Sequence, residues 1–181
     1  IYPLAFIVCI LFLVFYVIFA YTGIIFKAET LEEPIGSISG WCERVSSGIF
    51  REPMNAFSNI AFMLSGLFIF KTLNSDKSNN ENKFYGFNKI SVLYGSAVIF
   101  LGPGSMLMHG THTEWGGWAD NLSMIMFIIF PWLYNLKEMG RWSENRFIYS
   151  YFFIVIAYAL ARWFFGGRLG IGLDLFGLSI G

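Results

Sequence analysis

The junction of two strongly apolar segments contains three residues whose side chains could take part in catalysis: Ser105, His109 and Asp120. In a helix, Ser105 and His109 would lie one turn apart on the same face. Asp120 follows where the next apolar segment begins. Polar and ionisable side chains are costly at membrane depth, so their presence there indicates a functional site.

These residue types suit hydrolysis at a metal centre. Histidine binds zinc through a ring nitrogen, a carboxylate can accept the proton of an activated water, and a hydroxyl can donate to a developing oxyanion. Each also has a structural interpretation. His109 could hydrogen-bond across a helix interface, Ser105 could be a small residue in the turn at 102–104, and Asp120 could stabilise a helix N-terminus. His112 could join His109 as a ligand or remain solvated in its loop.

A second group of polar residues lies at the start of another apolar segment. Asn55, Ser58 and Asn59 share one face of a predicted helix, and this polar stripe is expected to face the bundle interior because lipid contact would be costly. The stripe either forms interhelical hydrogen bonds or joins Glu52 and Glu43 around a cation. Calcium, which prefers several oxygen ligands, is the candidate.

The composition is that of a membrane protein. Of the 181 residues, 56% are hydrophobic and only 13% are charged, whereas soluble domains carry about a quarter charged residues. The formal net charge is zero, which gives no support for nucleic-acid binding. We therefore predict an integral, multi-pass membrane protein, without identifying which membrane or which oligomeric state.

The apolar segments predict a polytopic all-α bundle. A helix needs about 20 apolar residues to cross a bilayer, and the predicted spans are 2–26, 53–71, 90–109, 118–136 and 147–165, with a sixth beginning at 171. We expect residues 1–181 to form a single transmembrane domain. Since the chain begins at Ile1 rather than methionine and ends within an apolar stretch, we expect it to be a fragment, truncated at its C-terminus.

Four motifs together resemble the alkaline ceramidase family, within the superfamily that includes adiponectin receptors and hemolysin III-like proteins. They are Trp41-Cys42-Glu43, Glu52-x-x-Asn55-x-x-Ser58-Asn59, Gly104-Ser105-x-x-x-His109 and Asp120-x-Leu122-Ser123-Met124. The serine, histidine and aspartate are shared across the superfamily, whereas the first two motifs favour the ceramidase branch. The resemblance implies a seven-helix membrane amidase.

The resemblance also implies a zinc site and a substrate. His109 matches a zinc ligand that two histidines of an HxxxH motif on a late helix would complete, and Ser105 and Asp120 match the catalytic serine and aspartate. The implied reaction is hydrolysis of the N-acyl bond of a ceramide-like lipid, taken from the bilayer, to a sphingoid base and a fatty acid. No histidine follows His112, so we expect the 181 residues alone to be inactive.

A calcium site is a further implication of the resemblance. Trp41, Glu43 and Glu52 match positions of the family's calcium site. Two further positions depart from the family pattern, because Gly40 replaces an aspartate and Val45 replaces an asparagine. These departures weigh against calcium.

Two non-enzymatic alternatives stay open at this stage. The same residues could tune the conformation of a receptor-like or channel-like member of the superfamily. They could also belong to a structural membrane protein in which the polar side chains join helices. Bound zinc and product release are the observations that would distinguish these alternatives from an amidase.

Overall fold

The computed structural model describes residues 1–26, 34–76 and 86–165, and these ranges are dominated by helices. The helices are α1 (Tyr2–Tyr21), α2 (Pro53–Ser58), α3 (Ile60–Ser75), α4 (Lys89–Thr111), α5 (Glu114–Met139) and α6 (Glu144–Phe165), with a short 3₁₀ turn at Ile24–Phe26. Within the described ranges there is no β-strand, only an isolated bridge between Ile38 and Arg44. The predicted all-α class is confirmed.

Four helical segments are long and apolar enough to cross a membrane, which indicates an integral membrane protein. They are Tyr2–Tyr21, Pro53–Ser75, Lys89–Thr111 and Glu144–Phe164. Helix α5 covers the predicted span 118–136 but is not among the four. The described ranges hold five long helical segments, so the seven-helix core stays a prediction, and the span expected from 171 lies outside the described residues.

Helix α4 is the centre of the bundle because it packs against both α3 and α5. Two glycines allow the close approach. A Cβ atom on Gly102 would lie 2.8 Å from the carbonyl oxygen of Asn59, and one on Gly104 would lie 2.5 Å from Oγ of Ser123. The helix continues without a break through the 102–104 segment. The small residues at 102–104 therefore allow close packing of the helices.

Two members of the polar stripe, Ser58 and Asn59, form local hydrogen bonds and not the interhelical ones considered above. The helix is interrupted at Asn59, between α2 and α3. Both the Ser58 hydroxyl (2.7 Å) and the Asn59 side-chain amide (2.8 Å) donate to the carbonyl oxygen of Asn55. Asn59 is buried, as expected, but Ser58 is exposed. The expectation that the whole stripe faces the interior is wrong for Ser58, because the broken helix leaves a nearby carbonyl that these side chains satisfy.

A tight connection fixes α4 beside α5. His112 ends α4 in the left-handed conformation (φ 53°, ψ 36°), and its amide donates to the Met108 carbonyl at 2.8 Å. Thr113 then caps α5, since its hydroxyl oxygen accepts from the Gly116 amide at 3.1 Å. Two residues therefore reverse the chain and place the start of α5 next to the end of α4.

The loop before α2 is hydrogen-bonded to the end of α4. The amides of Arg51 and Glu52 donate to the carbonyl oxygens of Gly110 and His109, both at 2.9 Å. The last carbonyls of a helix have no partner within it, so these two bonds both terminate α4 and anchor the loop. They bring the segment that contains Glu43 and Glu52 against the segment that contains His109.

Glu43 caps α2 from a distance in sequence. Its two carboxylate oxygens accept from the amides of Met54 and Asn55, each at 2.8 Å. The side chain of Glu52, at the N-cap position itself, makes no capping bond. Glu43 therefore satisfies two amides of the first turn that would otherwise lack partners.

Adding a methyl group at Gly104 should separate α4 from α5. We expect Gly104→Ala to lower the free energy of unfolding by about 1–3 kcal/mol, the usual cost of overpacking, because the new Cβ would overlap Ser123. Gly117→Ala is the matched control, since its Cβ would meet only the flexible Met108 side chain, at 3.4 Å. Unfolding in detergent measures both, and equal stability of the two variants would contradict the packing described here.

Removing the Glu43 carboxylate should loosen the first turn of α2. We expect Glu43→Ala to cost about 1 kcal/mol of stability, the typical value of a lost N-cap, and to speed hydrogen exchange at the amides of Met54 and Asn55. Glu144→Ala removes the same side chain from an exposed position in the first turn of α6 and serves as the control. Unchanged exchange at the two amides would show that Glu43 does not cap α2.

Candidate active site around His109

A buried carboxylate, that of Glu52, joins two histidines. Glu52 has no exposed surface. Its Oε2 atom lies 2.5 Å from Nδ1 of His109, and its Oε1 atom lies 3.3 Å from Nε2 of His112. The two rings come from the end of α4, whereas the carboxylate comes from the loop before α2, so the contact joins residues far apart in sequence.

Further donors surround the Glu52 carboxylate. The Asn55 side-chain amide donates to Oε2 at 3.2 Å, and the Ser39 hydroxyl also hydrogen-bonds to the carboxylate. Burial raises the pKa of Glu52, but the hydrogen bonds with Ser39, His109 and Asn55 outweigh burial, so its pKa lies below the ordinary value. Glu52 is therefore held as an anion.

Trp41 covers the two imidazole rings. Its ring centroid lies 5.4 Å from that of His109, in an edge-to-face arrangement with an interplanar angle of 86°. The corresponding distance to His112 is 5.9 Å. The tryptophan limits the positions that the two rings can adopt and shields them from solvent.

Ser105 and Asp120 meet beside His109, as the spacing predicts. The Ser105 hydroxyl hydrogen-bonds to the Asp120 carboxylate, and His109 is close enough to act on that carboxylate electrostatically. The Oδ1 atom of Asp120 is buried and has no hydrogen-bond partner among the described residues. The structure thus brings together the three candidate catalytic residues on α4 and α5, and one oxygen of the Asp120 carboxylate has no hydrogen-bond partner among the described residues.

Two structural interpretations of single residues are wrong. Asp120 does not stabilise a helix N-terminus, because α5 begins at Glu114 and Asp120 lies in its second turn, beyond the reach of the dipole effect. His112 is not a solvated loop residue, because only 1% of its surface is exposed. Its left-handed backbone conformation turns the side chain back toward Glu52.

Ser39 is a site residue that the sequence does not reveal. It is buried, and its hydroxyl oxygen accepts from the amides of Trp41 (3.2 Å) and Glu43 (3.4 Å) while it hydrogen-bonds to Glu52. It therefore folds the Trp41–Glu43 segment around the carboxylate. Serine is common in loops and no motif includes this position, so nothing in the sequence distinguishes it.

His109 fits the role of one zinc ligand. Because Nδ1 faces Glu52, Nε2 is the nitrogen left to bind a metal, and a carboxylate on the other nitrogen is the usual companion of a metal-binding histidine. The uncommitted Oδ1 of Asp120 suits a water or substrate atom beside such a metal. In the ranges 1–26, 34–76 and 86–165, no group of three or more His, Cys, Asp or Glu side chains is arranged to hold a metal ion. Further ligands would have to come from elsewhere.

The residues matched to a calcium site serve other purposes in this structure. Both oxygens of Glu43 accept backbone hydrogen bonds, Glu52 faces the histidines, and Trp41 packs on them. Val45, at the position where the family has an asparagine, is buried with 3% of its surface exposed. These contacts account for the side chains without a cation, and calcium binding stays a prediction.

Comparison with known proteins identifies the family. The model of the family described as Ceramidase matches residues 33–166. The match begins before Trp41 and extends beyond Asp120, so it includes all four motifs and every site residue described above. No curated protein and no solved structure matches the chain. Since the family match covers well over half of the sequence, the chain belongs to the ceramidase family.

Proposed function

We propose that the protein is a membrane-embedded, zinc-dependent amidase that hydrolyses the N-acyl bond of ceramide-like lipids to a sphingoid base and a fatty acid. Membership of the ceramidase family supports hydrolysis of a ceramide amide in general terms. The observation that carries the finer proposal is the meeting of Ser105 and Asp120 beside His109. Among the described residues, these three combine a metal ligand, a proton acceptor and a hydrogen-bond donor.

The role of His109 is to hold the metal. Zinc, when bound, supplies Lewis acidity that activates a water and polarises the substrate carbonyl. Asp120 then accepts the proton of the attacking water at Oδ1, the oxygen that is buried and uncommitted in the described structure. A general base of this kind contributes about 10²–10⁴-fold to a rate. The same carboxyl can afterwards give the proton to the leaving amine.

Ser105 connects the proton transfer to the developing charge on the substrate. Its hydroxyl hydrogen first points to the Asp120 carboxylate. When Asp120 becomes protonated it no longer attracts that hydrogen, which can then turn to the oxyanion formed from the amide carbonyl. A hydrogen-bond donor directed at such an oxyanion contributes about 10²–10³-fold to kcat. The two residues would thus act in sequence.

The position of the site suits a lipid amide. His109 lies in the last turn of α4, which ends at Thr111 and forms one of the candidate membrane spans. The end of a span lies near the boundary between hydrocarbon and water. In a ceramide-like lipid the amide lies at that boundary while both hydrocarbon chains stay in the bilayer, so the substrate could reach His109 without leaving the membrane.

Replacing His109 should abolish both zinc binding and hydrolysis. In the protein reconstituted in lipid nanodiscs, we expect His109→Ala to lose zinc and to release no fatty acid from a ceramide, and a zinc chelator should inactivate the unmodified protein. Metal analysis and product quantification measure the two effects. Wild-type activity in His109→Ala would refute the proposal, and tight binding of zinc and ceramide without product would favour the receptor-like alternative instead.

Replacing Asp120 should slow the reaction without removing the metal. We expect Asp120→Asn to lower kcat by about 10²–10⁴-fold, because the amide cannot accept the proton of water, while zinc content stays the same. Asp76→Asn makes the same chemical change at an exposed position after α3 and should leave kcat unchanged. A similar kcat for the two variants would exclude Asp120 as the general base.

A further inference from the structure

Building on the proposed zinc site, we propose that Glu52 is a positioning residue that fixes the ring of His109 with its hydrogen on Nδ1, so that Nε2 presents its lone pair to a metal. The resemblance of the sequence to its family places Glu52 among calcium ligands instead. The contacts of Glu52 in this structure favour the histidine role.

The hydrogen between Glu52 and His109 belongs to the ring. Oε2 of Glu52 already accepts from the Asn55 side-chain amide at 3.2 Å, so this oxygen acts as an acceptor. His109 Nδ1, 2.5 Å from the same oxygen, then acts as the donor. A neutral imidazole with its hydrogen on Nδ1 carries its lone pair on Nε2.

Glu52 holds His109 at two points. Its backbone amide donates to the carbonyl oxygen of His109 at 2.9 Å, while its side chain contacts the ring. The main chain and the side chain of His109 are therefore fixed by one residue. Because Glu52 is fully buried and Ser39 and Asn55 also bind its carboxylate, the carboxylate has little freedom to move.

The second oxygen of Glu52 faces the second histidine. Oε1 lies 3.3 Å from Nε2 of His112, and the Trp41 ring lies against both imidazoles. Oε2 thus hydrogen-bonds to one imidazole, whereas Oε1 lies near the other without forming a hydrogen bond. A calcium ion that used Glu52 as a ligand would have to replace these contacts.

Glu43 provides a natural comparison. It is also a glutamate of the matched calcium site, but its carboxylate binds the amides of Met54 and Asn55. A shared calcium site predicts that the loss of either carboxylate has the same effect. A positioning role for Glu52 predicts that only the loss of Glu52 disturbs His109.

The first experiment reads the position of the hydrogen directly. Nitrogen NMR of the chain labelled at its histidine rings distinguishes protonated from unprotonated ring nitrogens, and the sequence contains two histidines. His112→Asn assigns the signals, since asparagine tolerates the left-handed conformation at that position. We expect the His109 ring in the unmodified chain to be protonated on Nδ1 and unprotonated on Nε2. A hydrogen on Nε2, alone or together with one on Nδ1, would overturn the proposal, whatever the behaviour of any variant.

The second experiment compares Glu52→Gln with Glu43→Gln. We expect Glu52→Gln to give a mixture of His109 tautomers and to weaken zinc binding by the protein about 10–100-fold, as usual when the partner of a ligating histidine is lost. Glu43→Gln should retain the wild-type tautomer and zinc affinity. Equal effects of the two variants, or a Glu52→Gln variant that loses only calcium binding, would overturn the proposal.

The two experiments separate this inference from the proposed reaction. The tautomer is measured without zinc and without a ceramide substrate, so Glu52 can be shown to position His109 even if the protein releases no fatty acid. Conversely, Glu52→Gln could still hydrolyse ceramide and bind zinc with wild-type affinity. That result would refute the positioning role of Glu52 and would leave the proposed amidase function standing.

Discussion

The buried contact between Glu52 and His109 is the interaction on which the rest of the site depends. It joins the loop before α2 to the last turn of α4, and the backbone bonds from Arg51 and Glu52 to the same helix end reinforce it. A carboxylate with no exposed surface is costly unless its charge is matched by donors. Removing either partner would leave the other buried without its main contact, so the loop and the helix end depend on each other.

The second constraint is the close approach of α4 and α5. Ser105 and Asp120 lie on different helices and can hydrogen-bond only if the helix axes are close together. Gly104 lies one residue before Ser105 and removes the side chain that would otherwise meet Ser123. Gly104 and the two-residue connection at His112 and Thr113 thus set the distance between α4 and α5. That distance allows Ser105 to hydrogen-bond to Asp120.

The sequence was sufficient to predict the helices and the residues that could do chemistry, because apolar length and the cost of polar side chains in lipid leave few alternatives. It was not sufficient to predict their partners. The bond between Glu52 and His109 depends on how the loop folds, which no periodicity encodes. The burial of His112 could not be predicted because its left-handed backbone conformation changes the direction of its side chain. The exposure of Ser58 could not be predicted because the helix is interrupted one residue later.

Three acidic residues near the site have different chemistry because their surroundings differ. Glu43 uses both oxygens to cap a helix, and Glu52 directs both oxygens at histidines. Asp120 receives a bond from Ser105 but keeps one buried oxygen without a partner among the described residues. A group that must take a proton from water needs an available lone pair, whereas a group that fixes a ring needs a direct hydrogen bond to that ring, as Oε2 of Glu52 has with Nδ1 of His109. On this criterion Asp120 is suited to be the base, whereas Glu52 is suited to hold His109 in place.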